Sequence, residues 1–335
     1  MRLVLATNYV HANFLVNWVH FFLHTHYGPM LLCSLCPLDN VLGGGRLTSS
    51  VGGGHQSCPA AHKYDANGEC TVCHAKKDDV ENAEARIGTK YFETLTKAIE
   101  SLKDVENKTA TINILKNSVK LGDLKGILGS NNSTYNITFV GNGNDKTTID
   151  VSTDNEGEGN HQNYIEGANL SFKNATVKLG DSSNYQGFVR AGRLSFEDCR
   201  FFGMGCYWGT ENYFTRCVFD DGNSENKDFY HAWLYNEGKY IFEDCTFETK
   251  NGKFLHLYNE NVVNLDVELK GCTFKCPSDA KYKKAALNIK RQVKGSVVID
   301  DVTLEDVDKS FDVETGASTT ELVVKIDGEQ VFPKN

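Results

Sequence analysis

One phrase of eight residues recurs along the chain and constrains its fold more than any other feature. It reads apolar-x-Phe-x-(Asn/Asp/Gly)-Cys-x-Phe with substitutions, and its copies span residues 170–177, 194–201, 212–219, 240–247, 267–274 and 297–304. The central apolar residues of these copies are Phe172, Phe196, Phe214, Phe242, Leu269 and Ile299. The same register extends to Ile114, Phe139 and Val324, so that an anchor recurs about every 26 residues.

Strand-like alternation at this period is typical of a solenoid in which each repeat adds one coil. The sequence therefore predicts an all-β, right-handed parallel β-helix of about 8–9 coils. Within one copy, Phe196 and Cys199 point inward, and Asp198 lies at a left-handed bend that Asn, Asp and Gly adopt most readily. Arg216 occupies the same position in another copy and predicts a strained or altered corner.

Stacked coils place four cysteines of the phrase above one another. Buried thiols behave as small apolar groups, so core filling is the favoured interpretation and a metal or redox wire is the alternative. The column contains Cys199, Cys217, Cys245 and Cys272.

A single helix is predicted ahead of the repeats. Residues 89–104 carry apolar side chains at helical spacing, and Thr89 stands where a capping residue is expected. A solenoid needs a cover over its first coil, because an uncapped end exposes apolar core and unpaired strand groups. We therefore expect residues 85–335 to form the β-helix with this capping helix.

The N-terminal part has a different character. Residues 3–38 contain no Lys, Arg, Asp or Glu, and an apolar run follows Arg2, which is the pattern of an export signal. Several Asn and His residues interrupt the run, so no stable membrane span is predicted. Residues 1–57 are interpreted as an export segment and glycine-rich linker, with a poorly defined start of the chain as the alternative.

A small cysteine and histidine knot is predicted over residues 58–80. Its candidate ligands suit the four soft positions of a structural zinc ion, and a disulfide is the alternative in an oxidising compartment. The ligands are Cys58, His62, Cys70 and Cys73, with His74 as a substitute.

From the knot onward, the chain resembles a known protein family. The coil phrases and the run Ala85-x-Ile87-Gly88-x-x-Tyr91-x-x-Thr94-Leu95-x-x-Ala98-Ile99 resemble the right-handed β-helix proteins of the pectate-lyase-like superfamily. The chain is most similar there to uncharacterised surface proteins of gut bacteria that carry a Cys/His ribbon before the solenoid. The resemblance covers about residues 58–335 and implies architecture rather than activity, because fold does not settle function.

Acidic residues give a candidate catalytic centre. Lyases and hydrolases of this fold class require grouped carboxylates and a proton-transferring residue. The candidates are Asp220, Asp221, Asp228 and His231, and the alternative is a solvated turn with a surface histidine.

Aromatic residues in the strand before each phrase give a candidate binding surface. If they face outward, stacked Trp and Tyr rings form a platform for sugars, and if they face inward they fill the core. The candidates are Arg190, Trp208, Trp233, Tyr235, His256 and Tyr258.

The formal charge of −9 makes a broad contact with nucleic acid or anionic lipid unfavourable. We expect a secreted or cell-surface, adhesin-like protein without catalysis that binds carbohydrate or a host-surface glycan. A polysaccharide lyase or glycoside hydrolase is the second hypothesis, and a structural surface spacer is the third.

Overall fold

The structure is a computed structural model that describes residues 62–129, 134–152, 162–179, 185–220, 230–251, 253–280, 285–314 and 321–333. The predicted export segment and linker lie outside the described residues, as do Cys58, Asp221 and Asp228. Within the described ranges, the helices are α1 (Lys77–Asn82), α2 (Leu95–Glu100) and α3 (Leu124–Leu128), with a 3₁₀ turn at Ser101–Asp104.

The chain is an all-β parallel solenoid, as the repeat predicts. Its strands are β1 (Ala85–Ile87), β2 (Lys90–Phe92), β3 (Thr109–Ile114), β4 (Ser118–Lys120), β5 (Asn136–Val140), β6 (Thr148–Asp150), β7 (Gln162–Tyr164), β8 (Asn169–Lys173), β9 (Thr176–Lys178), β10 (Tyr185–Glu197), β11 (Arg200–Phe202), β12 (Met204–Thr215), β13 (Val218–Asp220), β14 (Ala232–Leu234), β15 (Gly238–Glu243), β16 (Thr246–Glu248), β17 (Leu255–Lys270), β18 (Thr273–Lys275), β19 (Leu287–Asp300), β20 (Thr303–Glu305), β21 (Phe311–Val313), β22 (Leu322–Ile326) and β23 (Glu329–Phe332).

The strands form three faces. Face A contains the anchor strands β3, β5, β8, β15 and β22 and the C-terminal halves of β10, β12, β17 and β19. Face B is an eight-stranded sheet in the order β20-β18-β16-β13-β11-β9-β6-β4. Face C contains β7, β14, β21 and the N-terminal halves of the same long strands, which join faces A and C into one sheet.

The described strands give nine anchor segments on face A and eight strands on face B, as the predicted repeat count requires, and the solenoid amounts to about six turns. The first coil has β3 and β4 followed by α3, and the last anchor strand, β22, is followed by the antiparallel β23. Anchor spacing therefore counts strands on face A, not complete turns.

The predicted pairing of anchors is confirmed for the six phrase copies. Neighbouring strands place these residues directly beside one another, from Phe172 and Phe196 through Leu269 and Ile299. The two outermost anchors are wrong by two residues, because Ile112 pairs with Phe139 and Ile326 pairs with Ile299. Ile114 and Val324 lie on the same strands, and an alternating pattern cannot distinguish positions that are two residues apart.

Two columns of stacked phenyl rings fill the interior. On face A, successive ring centroids are 4.9, 5.2, 5.1 and 4.6 Å apart along Phe139, Phe172, Phe196, Phe214 and Phe242. On face B, the corresponding distances are 4.6, 4.5 and 4.5 Å along Phe201, Phe219, Phe247 and Phe274. Ring spacing thus follows the spacing of hydrogen-bonded strands, about 4.8 Å, and each ring contacts its equivalents on both sides.

The corner between faces A and B uses the predicted left-handed backbone. The bend residues have φ angles of 52–62° at Asn174, Asp198, Arg216, Asp244, Gly271 and Asp301. Arg216 adopts the same conformation as the others, so that corner is not altered. Its guanidinium bonds to Asp198 at 2.8 Å and to Glu197 at 2.8 Å on the preceding coil.

The four cysteines directly follow this corner and are buried at 0–1% exposure. Each thiol donates to the backbone carbonyl of the anchor one coil earlier, at 3.4–3.5 Å: Cys199 to Phe172, Cys217 to Phe196, Cys245 to Phe214 and Cys272 to Phe242. Core filling is therefore the structural role of this column, with a weak hydrogen bond added.

The first coil is covered by a hairpin and a short helix, rather than by a helix over 89–104. β1 pairs antiparallel with both β2 and β3, which continues face A beyond its first solenoid strand. α2 begins after Thr94, whose side chain accepts the Lys97 N–H, and Thr89 is not the cap. The helix packs its apolar face into the core through Leu95, Ala98 and Ile99.

We expect Gly271→Ala to lower the free energy of unfolding by about 1–2 kcal/mol, because an L side chain is strained at this φ. Its Cβ would also collide with the Asp244 carboxylate. Asp301→Gly, at the equivalent corner with a φ of 52°, is the matched control and should be neutral or slightly stabilising. Urea denaturation measures both, and an unchanged midpoint for Gly271→Ala would contradict the corner argument.

Candidate functional site

A cluster of aromatic side chains lies on the outer surface of face C. Three of them, Trp208, Tyr235 and Tyr258, follow one another on consecutive coils, and we call this set the aromatic ladder. The centroids of Trp208 and Tyr235 are 5.1 Å apart, and those of Tyr235 and Tyr258 are 6.0 Å apart. At about 4.8 Å per coil the ladder extends about 10 Å along the solenoid.

Strand alternation settles the direction of these rings. Tyr207, Leu234 and Leu257 precede the ladder residues and are fully buried in the core, at 0% exposure. The ladder residues are half-buried and lie on the opposite side of the strands. The structure thus places them outward, which the sequence left open.

A second column runs beside the ladder. Trp233 and His256 are register neighbours on β14 and β17, with ring centroids 5.3 Å apart. Trp233 also contacts Tyr258 at 5.3 Å, and Tyr230 stacks on His256 at 4.4 Å. Five of the six predicted binding residues therefore form one continuous cluster, and Tyr230 belongs to it although the sequence analysis did not select it.

The rings of the ladder lean against one another instead of forming a flat floor. The interplanar angles are 30° between Trp208 and Tyr235 and 29° between Tyr235 and Tyr258. Since these faces are turned toward each other, an outer ligand meets ring edges. The Trp208 indole donates to the Trp233 carbonyl at 3.1 Å, which fixes its orientation.

Charged residues bound the cluster at both ends. Lys290 follows Tyr258 in register and pairs with Glu314 at 3.3 Å. Arg190, the sixth predicted binding residue, lies at a bend of β10 with a φ of 56° and faces Glu166 at 3.8 Å. Arg190 directly follows Val189, which is the register neighbour of Trp208, so it is placed at the rim of the cluster.

His256 is the only titratable imidazole of this cluster within the described residues. Its side chain is 4% exposed, and burial lowers its pKa to about 4, while Asn288 and Glu314 act in the opposite direction. The imidazole is therefore neutral at pH 7 and adds no positive charge to the surface.

The structure describes two of the four predicted catalytic residues, Asp220 and His231, and does not bring them together on one surface. Asp220 lies at the end of β13 in an ion pair with Arg200, beside Glu248 on the next coil of face B. His231 is 1% exposed and packs against Phe219 and other core rings, so the expectation of a surface histidine is wrong. An imidazole buried among phenyl rings cannot exchange protons with a polymer bound outside the solenoid.

Face B carries a groove that the sequence analysis missed. Asp220, Glu248, Lys275 and Glu305 follow one another in register along it, and Lys275 pairs with Glu248 at 2.6 Å. The signal was present in the sequence as a charged residue after the last apolar residue of each of the last four copies: Asp220, Glu248, Lys275 and Glu305. Paired carboxylates and lysines on an exposed sheet are also the ordinary way to keep such a surface soluble.

The cysteine and histidine knot forms a compact turn, which we call the knuckle (residues 62–76). Its candidate ligand atoms on His62, Cys70 and Cys73 lie within 4.8 Å of one another, so this group could hold a metal ion. Among the described residues the cysteines are thiols, so no Cys70–Cys73 disulfide forms. His74, the predicted substitute, turns away and contacts Glu69 at 2.7 Å.

Backbone geometry prepares the knuckle for a soft cation. Hydrogen bonds from the backbone N–H groups of Cys73 and Val72 lower the pKa of the Cys70 thiol to about 6. The thiolate, which is the ligand form, is thus accessible at neutral pH. His62 Nδ1 lies 3.5 Å from Cys73 Sγ, so the donor set is one imidazole and two thiols.

The fold and these surfaces define the class as a parallel β-solenoid with an outward aromatic cluster and an N-terminal Cys/His knuckle. No family model matches the chain, and neither a curated protein nor a solved structure matches it. In the described part of the chain, every helix falls short of the length and apolar character that a membrane crossing requires.

Acidification should destabilise the parent protein more than His256→Gln. An unfolded histidine has a pKa near 6.5, so the unfolded chain takes up a proton between about pH 6.5 and 4 that the folded chain does not. The burial of neutral His256 therefore makes its full contribution to the free energy of unfolding above about pH 6.5. This contribution falls by about 3 kcal/mol when the pH reaches 4. Urea unfolding at several pH values measures the difference, and parallel pH profiles for the two proteins would refute the burial argument.

Proposed function

We propose that this chain is an exported, non-catalytic β-helix protein that binds carbohydrate or a host-surface glycan through the aromatic cluster of face C. The observation that carries the proposal is the ladder of Trp208, Tyr235 and Tyr258 on three consecutive coils, facing outward. Half-buried Trp and Tyr combine apolar ring surface with a polar atom, which suits sugars that are themselves apolar on their CH groups and polar at their hydroxyls.

The rigidity of the cluster supports binding without rearrangement. Its rings are held by mutual contacts, by the Trp208 bond to the Trp233 carbonyl and by strands within a sheet. Side chains that are already ordered lose little conformational freedom when a ligand arrives, so more of the contact energy appears as affinity.

Charge favours an uncharged ligand. His256 is neutral at pH 7, and Lys290 and Glu314 beside Tyr258 neutralise each other. The Lys253 ammonium lies 5.2 Å from the centroid of the Tyr230 ring, so its charge is directed at that ring. With a net charge of −9 over the chain, an anionic polymer or nucleic acid gains little from this surface. A neutral glycan is therefore the preferred ligand class.

The two other hypotheses have less support. Of the two predicted catalytic residues that the structure describes, Asp220 lies outside the wall and His231 lies inside it. The carboxylates that share a surface, Asp220 and Glu248 on face B, are engaged in ion pairs with Arg200 and Lys275. A structural spacer of a surface layer needs only the solenoid and gives no reason for three aromatic residues in register on the outside.

Replacing Trp208 or Trp233 by Ala should weaken glycan binding at least about tenfold, as expected for a buried aromatic anchor of an interface. A glycan array that contains neutral plant, bacterial and host glycans measures binding of the parent and variants. Tyr213→Ala is the matched control, because Tyr213 is a half-buried tyrosine on the outer side of face A. Far-ultraviolet circular dichroism verifies the fold of each variant, and unchanged binding, or a parent that binds no glycan, would refute the proposal.

We further propose that the knuckle binds one structural zinc ion through His62, Cys70 and Cys73, with Cys58 as the fourth ligand. Imidazole and thiolate donors at this spacing suit tetrahedral zinc, and a fourth protein ligand closes the site to catalysis. The resemblance to gut-bacterial surface proteins that carry a Cys/His ribbon ahead of the solenoid agrees with this assignment.

Purified protein should contain about one zinc per chain, and a chelator should release it while the β signal of the solenoid persists. Elemental analysis gives the metal content, and circular dichroism follows the strands. Cys70→Ser should abolish zinc retention, whereas the control Cys276→Ser, on face B, should retain it. Metal-free parent protein that also fails to take up added zinc would refute the assignment.

A further inference from the structure

The imidazole of His62 lies between the knuckle and the solenoid. Its Nδ1 is 3.5 Å from Cys73 Sγ, within the group of candidate metal ligands. Its Nε2 is 2.7 Å from the hydroxyl of Tyr91, 29 positions further along the chain. One ring therefore contacts both parts of the protein through opposite nitrogens.

Tyr91 is a residue of the cap that covers the solenoid. It lies at the centre of β2, β2 pairs with β1, and β1 pairs with β3, the first solenoid strand of face A. A cation–π contact with Arg86 of β1, at 6.0 Å from the ring centroid, helps to hold the Tyr91 ring. The hydroxyl that contacts His62 is thus positioned by the sheet and not by the knuckle.

The chemistry of a metal-bound imidazole gives this contact a role. When Nδ1 offers its lone pair to a metal, Nε2 carries the proton and needs an acceptor, and such outer partners fix the tautomer and ring orientation. The Tyr91 hydroxyl stands at that position with an oxygen that accepts. Tyr64 also contacts His62, with ring centroids 5.6 Å apart and stacked, so the imidazole plane is fixed from a second direction.

We propose that Tyr91 is the outer-shell partner of the metal ligand His62, and that this hydrogen bond couples metal binding in the knuckle to the stability of the solenoid cap. The inference rests on the metal site proposed above. Tyr91 acts as a positioning residue, because it contacts the ligand and not the metal. A further hydrogen bond holds the helix that follows the knuckle against the solenoid: Lys116, which follows β3, donates to the Glu81 carbonyl of α1 at 2.7 Å.

The test uses the full chain and the variants Tyr91→Phe, Tyr91→Gln and Tyr64→Phe. Zinc affinity is measured by competition with a chromophoric chelator, and Co²⁺ in place of zinc gives an absorption spectrum that reports ligand geometry. Tyr91→Phe keeps the ring but removes the acceptor, so we expect about 10- to 100-fold weaker binding and altered Co²⁺ bands. Tyr91→Gln offers an amide oxygen and should recover part of the affinity, and the control Tyr64→Phe should bind zinc as the parent does.

Coupling is reciprocal, so zinc should also raise the thermal unfolding midpoint of the parent by more than that of Tyr91→Phe. Failure of the proposed metal site and failure of the proposed role of Tyr91 give different results. A parent that binds neither zinc nor Co²⁺ refutes the metal site itself. A parent that binds both ions, with Tyr91→Phe identical in affinity, spectrum and zinc-dependent unfolding, refutes the role of Tyr91 and leaves the metal site standing.

Discussion

In-register stacking of inward side chains is the interaction on which the rest of the structure depends. Phenyl rings at 4.5–5.2 Å intervals match the strand spacing, so one arrangement satisfies ring packing and backbone hydrogen bonding together. The corners must then repeat without change, which explains why Asn, Asp, Gly and even Arg216 adopt one left-handed conformation there. Because the inner register is fixed, the outer register is fixed with it, and outward residues at equivalent positions of successive coils form continuous columns on the surface. The aromatic ladder is a product of this constraint.

The sequence specifies the solenoid because its core residues are repeated. A ring, a bend residue and a thiol at constant offsets predict inward positions such as Phe196 and the corner at Asp198, and the structure confirms both. The ends are predicted less well because they are not repeats. Tyr91 and Phe92 fit a helical pattern as well as a strand, and only pairing with β1 and β3 decides that they belong to a hairpin. His231 shows a second limit of sequence analysis. A single polar residue that lies in the core cannot be distinguished, from sequence alone, from a polar residue on the surface.

Sequence analysis identified five members of the aromatic cluster, but it missed Tyr230 and did not give the geometry of the cluster. Tyr207 and Trp208 are adjacent aromatic residues, and alternation alone does not tell which of them faces the core. Ring tilt, and hence whether a ligand meets faces or edges, depends on contacts such as that between Trp208 and the Trp233 carbonyl. Nothing in the sequence marked Tyr91 as a partner of a metal ligand. It lies 29 positions after His62, and the two side chains meet only in the folded protein.

The two antiparallel strands at the ends of face A have a consequence for self-association. A parallel solenoid with bare ends presents edges that match a second copy and permit end-to-end polymerisation. Here β1 and β23 reverse the chain direction beside β3 and β22, and the outermost strands β2 and β23 are only three and four residues long. At the C-terminal edge a second molecule meets β23, which runs opposite to the solenoid strands. At the N-terminal edge it meets β2, which runs in the same direction as β3 but offers only three residues for pairing. Neither edge of face A therefore offers a second copy a full-length strand in the direction that continued winding requires.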